Sequence, residues 1–509
     1  MKSYTHMVGF TVVATLLGST AALAQVTPTE VWEGWQEQAA STGASLDADS
    51  AAADGSDFRA EGVTYSVTQD DMTLRVHIDN VLFADAGDGS VQVTFADDAV
   101  LEVTGDDFEG NMAGVTFDIA AADLDIRASG APEALRYAFT APQVDFSLAE
   151  VLGTAAEEFD GELTISLTDL AGEHFRETSG DHALESFFEM GSIAIDANVF
   201  NPEGSESVVA KGQTTDVGFV LVGERMDALD AENVADALAS GFSMEGGIGH
   251  RGTSYDIEFS DDFMEGSLVL SSSEGEASFG FGAEGLSYEG RSLEGMISAA
   301  GTMMPLPAVN VDFNEMSFST MVPVAESDAP QSFGTSILID ELNVGEEIWS
   351  MIDAGGALPR EPLRFVLDID GLANWESNIL DTAAQGPHML MMQPPAQLGE
   401  LHEINLKELS LSFIGAELSG VGAFTFDNED LTTFPGMPRP TGDVTFTLRG
   451  AEATVDRLVS LGVIGQEDAM GAMMMMSMFA RPGDEEDTLT STLEVREDGA
   501  VLANGQRIQ

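Results

Sequence analysis

The sequence predicts a mainly β protein: large, twisted and mostly antiparallel sheet or sheets with a few short helices, closing on a β-α-α-β-β unit. Three observations predict it. Apolar and polar residues alternate with period two along most of the chain, Gly, Asp and Pro turn signals separate the alternating runs, and helical patterns interrupt them sparingly. Strands with one wet and one dry face belong to antiparallel sheets, because parallel sheets covered on both sides read as continuous apolar runs.

The first element is a helix. Thr27-Pro28-Thr29-Glu30 reads as a capping box with proline at the first helical position, Trp32, Trp35 and Ala39 share a face, and Gly43 ends the run. The period then changes to two. Leu74, Val76 and Ile78 alternate with Arg75, His77 and Asp79, and Val91, Val93 and Phe95 follow after the turn signal Asp88-Gly89. The same alternation returns in 163–167, 193–196, 255–259, 309–313, 316–318, 365–369, 409–413, 424–426 and 444–448. Helices are expected at Glu224 to Ser240, Gly345 to Asp353, Val455 to Leu461 and Gln466 to Ala480, the last stopped by Arg481-Pro482-Gly483. Strands Leu489 to Arg496 and Ala500 to Ala503, joined through Asp498-Gly499, close the chain. Pro323, Pro330 and the polar residues around them suggest a division into 25–325, an N-terminal β-rich region, and 326–509, a C-terminal β-rich region with a Met-rich helix.

Lys2, the apolar run Met7 to Leu17 and the small residues ending at Ala24 have the order of a secretory signal, so residues 1–24 are expected to be a signal peptide cleaved after Ala24. That places the mature chain in the periplasm or outside the cell, with no transmembrane segment left after cleavage. Asp and Glu number 88 against 19 Lys and Arg. A surface this negative repels phosphate backbones and no basic patch offsets it, so no nucleic-acid partner is expected. Saline adaptation is the first explanation of the charge; cation sequestration is the second. The chain has no cysteine, which removes thiol catalysis and thiolate metal sites.

No residue earns a catalytic, cofactor-binding or metal-ligating assignment. Gly280-Phe-Gly282-Ala-Glu-Gly285 has the letters of a dinucleotide fingerprint, but Leu286-Ser-Tyr288 continues as strand where a helix would be required, so these glycines are expected to serve sheet geometry. His77, His174, His182, His250, His388 and His402 fall in no zinc-binding spacing. His174 and His182 are the closest pair, with a solvated loop as the first expectation. Asp85, Asp88, Asp97, Asp98, Asp106 and Asp107 gather near hairpin ends without matching a calcium loop, and read as surface turns. Carboxylates are too abundant for a catalytic pair to stand out. Methionine is the unusual enrichment, in His388-Met389-Leu-Met391-Met392 and in Met470, Met473 to Met476 and Met478. A helix apolar on every side, as Met470 to Phe479 is, predicts core packing first. A groove for lipid or a partner peptide comes second, and Cu(I) held by thioethers third.

Asp353-Ala-Gly-Gly-Ala-Leu-Pro-Arg-Glu-Pro362, the tail from Gly442 to Ile508 and the opening Thr27 to Trp35 resemble an uncharacterised alphaproteobacterial family of exported proteins, domain of unknown function 2125. That resemblance brings no catalytic residues. The sheet-rich organisation and closing hairpin are similar, more weakly, to envelope proteins of the AsmA and TamB kind, which implies a long sheet with an apolar groove associated with lipid movement; those proteins usually carry a transmembrane anchor, unlike this chain as read here. The leading expectation is a non-catalytic envelope protein presenting an apolar sheet surface to lipid or an envelope partner. An extracytoplasmic carboxylate-dependent hydrolase and a cation-dependent structural or adhesive protein are the alternatives.

Overall fold

A computed structural model describes residues 25–69, 71–95, 98–106, 110–153, 156, 159–228, 234–302, 304, 308–376 and 399–508. The 1–24 signal, Asp97, Asp107 and the His388–Met392 cluster lie outside them. Among the described residues there is one antiparallel sheet of 27 strands. In chain order these are β1 (Ser45–Asp47), β2 (Ser50–Asp54), β3 (Asp57–Gln69), β4 (Met72–Asp85), β5 (Val91–Phe95), β6 (Asp98–Asp106), β7 (Met112–Ala122), β8 (Asp125–Ala131) and β9 (Ala134–Gly153). They continue as β10 (Asp160–Glu177), β11 (Leu184–Phe200), β12 (Ser207–Glu224), β13 (Ser243–His250), β14 (Thr253–Ser260), β15 (Glu265–Ser272), β16 (Glu274–Gly282), β17 (Gly285–Gly301), β18 (Val309–Val322) and β19 (Gln331–Val344). The rest are β20 (Leu363–Trp375), β21 (Gly399–Phe413), β22 (Ala416–Asp427), β23 (Arg439–Arg449), β24 (Arg481–Pro482), β25 (Thr488–Val495), β26 (Val501–Ala503) and β27 (Gln506–Arg507). Helices are α1 (Pro28–Ser41), α2 (Val234–Ala239), α3 (Glu346–Ile352), α4 (Ala451–Ser460) and α5 (Gln466–Phe479).

The sheet is a meander. Almost every strand pairs with the strands next to it in sequence, and β18 and β19 pair directly across residues 323–330. Besides β1 and β2, which both pair with β3, four more strands are split in two. β5 and β6 both pair with β4, β7 and β8 with β9, β13 and β14 with β12, and β15 and β16 with β17. The splits fall on a line that crosses the sheet. Along that line Gly62, Asp123, Asp169, Asp216, Glu294 and Glu341 hold a left-handed backbone, φ between 46° and 61°. On intervening strands the pairing skips at Asp79, Pro142, Gly191 and Asn314.

Each step takes one residue out of the pairing on both strands together, with the register the same on either side of it. It also resets the side-chain phase. In β10 the apolar set passes from Leu163, Ile165 and Leu167 to Leu170 and Gly172, and in β3 from Phe58 and Ala60 to Val63. Because Phe58, Ala60 and Val63 pack in one cluster, the reset keeps apolar residues on one face across the crease. Aspartate tolerates the left-handed region better than most residues, which explains its place at three of the six positions.

Helix α1 covers the N-terminal end of that face. Its capping box forms as the sequence predicts: the Thr27 backbone N–H donates to the Glu30 carboxylate at 2.8 Å, and the Glu30 N–H donates to Thr27 Oγ1. Trp32 is buried against Phe58 and Phe83, with centroids 6.0 and 5.9 Å away, and Trp35 meets Phe83 at 5.1 Å. At the opposite end α4 and α5 pack as a pair between β23 and β24.

Three expectations change. Glu224 ends a strand, and the helix after it is the short α2, whose neighbour Phe242 packs with Leu238, Val324 and Phe281. The first helix of the closing unit starts at Ala451, four residues before Val455. The Met-rich helix is not core: Met470, Met474 and Met478 are 67–70% exposed, and Ala469 is the buried residue of α5. The uniform apolar pattern had predicted burial, but α5 lies on the single-layer sheet with one side only, so its far side meets solvent.

Candidate binding face

One row of paired residues crosses almost the whole sheet. Read from strand to strand it runs Phe58, Phe83, Val93, Ile126, Phe139, Gly172, Phe188, Phe219, Ile248, Ala277, Gly290, Phe318, Ile337, Leu367, Leu409, Gly420 and Phe446, and reaches Ser491. Every member before Ser491 is apolar or glycine. Beyond the crease a second row runs Ile78, Ala99, Ile119, Phe146, Ile165, Ile195, Gly212, Tyr255, Leu270, Ile297, Val311 and Val344. The opposite face carries rows such as Thr164, Asp196, Lys211, Asp256, Val269, Ser298 and Asn310. The molecule therefore has one apolar and one polar face, as period-two alternation requires.

Glycines in the apolar rows lie under rings from neighbouring strands. A Cβ on Gly172 would meet Phe139 Cζ at 2.5 Å and Phe188 Cδ1 at 2.8 Å, and one on Gly420 would meet Phe446 Cδ1 at 2.7 Å. The rings thus lie across the sheet, filling space a side chain would occupy. Phe139, Phe188 and Phe219 continue as a run with centroids 5.4 and 5.5 Å apart.

The centre of this face is open. Ile248 is 51% exposed, Phe318 49%, and Tyr288 and Ile297 46% each. Contiguous exposed apolar surface of this kind marks a site of interaction. At the C-terminal end α5 closes over the row, leaving a cavity of about 400 Å³ lined by Leu418, Phe446, Leu448, Ala472, Met475, Met476, Phe479, Ala480, Leu489 and Ser491.

Several charged groups elsewhere are engaged in ion pairs. Arg439 is held by Asp427 at 2.6 Å and Asp430 at 3.0 Å, and Arg291 by Glu315 at 2.8 Å. Each carboxyl with a resolved shift (Asp88, Asp227, Asp353, Asp370, Asp427 and Asp430) moves down, with hydrogen bonds the largest cause in each. Burial pushes the Tyr137 phenol up to about 12. Among the described residues no group of three or more His, Cys, Asp or Glu side chains is placed to hold a metal. Among them, too, no helix is long and apolar enough to cross a membrane.

The sequence candidates separate. His182 sits in the turn between β10 and β11, but His174 belongs to β10 itself, its Nδ1 2.8 Å from Ser186 Oγ and its ring beside Tyr137, so the solvated loop expected for it is replaced by a half-buried strand position. Gly280, Gly282 and Gly285 build the β16–β17 hairpin, with Gly282 paired to Gly285 and strand on both sides. Asp88 accepts from Ser90 Oγ at 2.6 Å and pairs with Arg127, a turn role. What sequence reading missed is the crease and the two continuous rows. The signal was present: alternating apolar runs restart one residue out of phase beside Gly, Asp or Glu.

Neither a curated protein nor a solved structure matches the chain. A family model does match over residues 274–508, from β16 to the closing strands: that stretch is similar to the family described as an uncharacterized protein conserved in bacteria, DUF2125.

Proposed function

We propose that this is a non-catalytic protein of the bacterial envelope, exported by the signal at 1–24, whose apolar sheet face holds lipid or an apolar segment of an envelope partner. The observation that carries the reading is the face itself: two unbroken apolar rows on a single layer, covered by α1 at one end and α5 at the other, flanked at strand ends by α2 and α3, and open at the centre. Exposing that much hydrocarbon surface to water costs roughly 25 cal/mol per Å² of apolar area, so an occupant that covers it gains the same. The polar reverse face and the net charge of −69 keep the molecule dispersed while the apolar face is free.

Purification from envelope extracts without detergent, followed by native mass spectrometry, tests this. Lipid or a partner chain bound to the protein is expected. A ligand-free protein that also fails to take up the neutral dye Nile red would overturn the proposal.

A further inference from the structure

We infer that the C-terminal end of the apolar face is a seat for one hydrocarbon chain, roofed by α5, and that the headgroup of its ligand carries no negative charge. The inference rests on the reading above and adds the place where the ligand ends and the class it belongs to.

The cavity of about 400 Å³ falls within the roughly 300–1,000 Å³ range of small-molecule sites. Its floor is not separate from the open face. Phe446 is the last apolar member of the long row, so a chain lying along the open centre runs on beneath α5 without crossing a polar strip. The roof is Ala472, Met475, Met476 and Phe479, and thioether side chains adapt to an irregular hydrocarbon surface. The roof is pinned at one end. The Phe479 carbonyl accepts from Ser491 Oγ at 2.6 Å and from Asn504 Nδ2 at 2.7 Å. Its other end follows Gly462 and Gly465, with Gly462 in a left-handed conformation and no atom within 4 Å of where its Cβ would stand. α5 is therefore fixed at its C-terminus by β25 and the β26–β27 turn, and Ala469 in its first turn is buried.

Charge selects the headgroup. The chain between β24 and β25 reads Asp484-Glu485-Glu486-Asp487, and α5 begins with Glu467 and Asp468. Two of the nearby cations, Arg449 and Arg481, lie on the other face. Arg449 pairs in the ladder with Glu417 and is held by Glu417 and Glu485, and Arg481 pairs with Thr490, out of phase with the cavity residues Leu489 and Ser491. A carboxylate or phosphate headgroup would meet the six carboxylates at 467–468 and 484–487, which repel it.

The test titrates the full mature chain with monodecanoylglycerol and with decanoate, then repeats it with Ala472→Phe, which fills the cavity. The neutral ester is expected to bind, decanoate to bind at least about tenfold more weakly at low salt, and A472F to lose about tenfold or more of its affinity for the ester while still taking up Nile red. A diazirine-bearing decanoyl glycerol is expected to cross-link to residues 466–480 of the unmodified chain, a readout that needs no variant. Unchanged ester affinity in a folded A472F, decanoate binding as tight as the ester, or cross-links confined to other strands would overturn the seat. Loss of Nile red uptake by the unmodified chain would overturn the open-face reading instead.

Discussion

At the residue scale the most informative group is Asp353. It is 1% exposed, and its carboxylate accepts the N–H groups of Ala357 at 2.8 Å and Leu358 at 2.7 Å, folding the run 353–362 into a tight loop behind α3. Leu358 is buried by that loop, and Arg360 lies 5.6 Å over the Trp349 ring while pairing with Glu346. The two backbone hydrogen bonds hold the carboxyl below its ordinary 3.8. A depressed carboxyl stabilises the fold above the unfolded value, and the contribution is lost as pH falls from there through the folded value. Asp353→Asn should therefore lower Tm at neutral pH, and the gap to wild type should shrink below about pH 3.8; a gap that stays constant between pH 7 and pH 3 would contradict the role. His174 runs the other way in charge. Burial first, and Arg176 second, hold its ring below 6.5, so the fold loses stability as pH falls from 6.5 toward the folded value, and His174→Gln should flatten that slope in thermal melts. The 353–362 run was visible in the sequence as a signature, but not its role. With 88 acidic residues, one buried carboxylate has nothing to distinguish it from its solvated neighbours.

At the scale of elements, α1 shows what legible sequence looks like. Its cap, proline and tryptophan spacing state the start, the end and the buried side, and all three are found. Trp32→Ala should cost about 3–5 kcal/mol in denaturant titrations, since it empties the site between Phe58 and Phe83. The strand glycines work by the opposite logic. Gly172→Ala adds a methyl where ring and backbone atoms already lie within 2.8 Å, so a loss of about 1–3 kcal/mol is expected, and a neutral or stabilising result would show that the rings move aside freely. The bounds of α5 were equally plain, through its acidic first turn and its Arg-Pro-Gly stop, yet its surroundings were not. Composition tells how apolar a helix is, and tertiary structure decides how many sides have something to meet.

At the scale of the whole molecule, antiparallel pairing and mainly β content followed from alternation alone, because alternation is a property of each strand. The crease did not, because it exists only when phase slips in separate strands fall into line. The charge acts at this scale as well. A net −69 on one chain repels itself, so Tm should rise with NaCl over the first few tenths molar, where the screening length falls below about 10 Å. A Tm independent of salt would mean that the carboxylates are already neutralised by tightly bound cations.

The meander pairing has a consequence for how such a chain reaches its final form. Because a strand's partners are chiefly the segments just before and just after it, the polypeptide can zip up from whichever end emerges first, each new hairpin adding to a template already in place. No distant segment has to wait for another. A protein that arrives threadwise on the far side of a membrane gains from that order of assembly, since the length of unpaired backbone exposed at any moment stays close to that of a single hairpin.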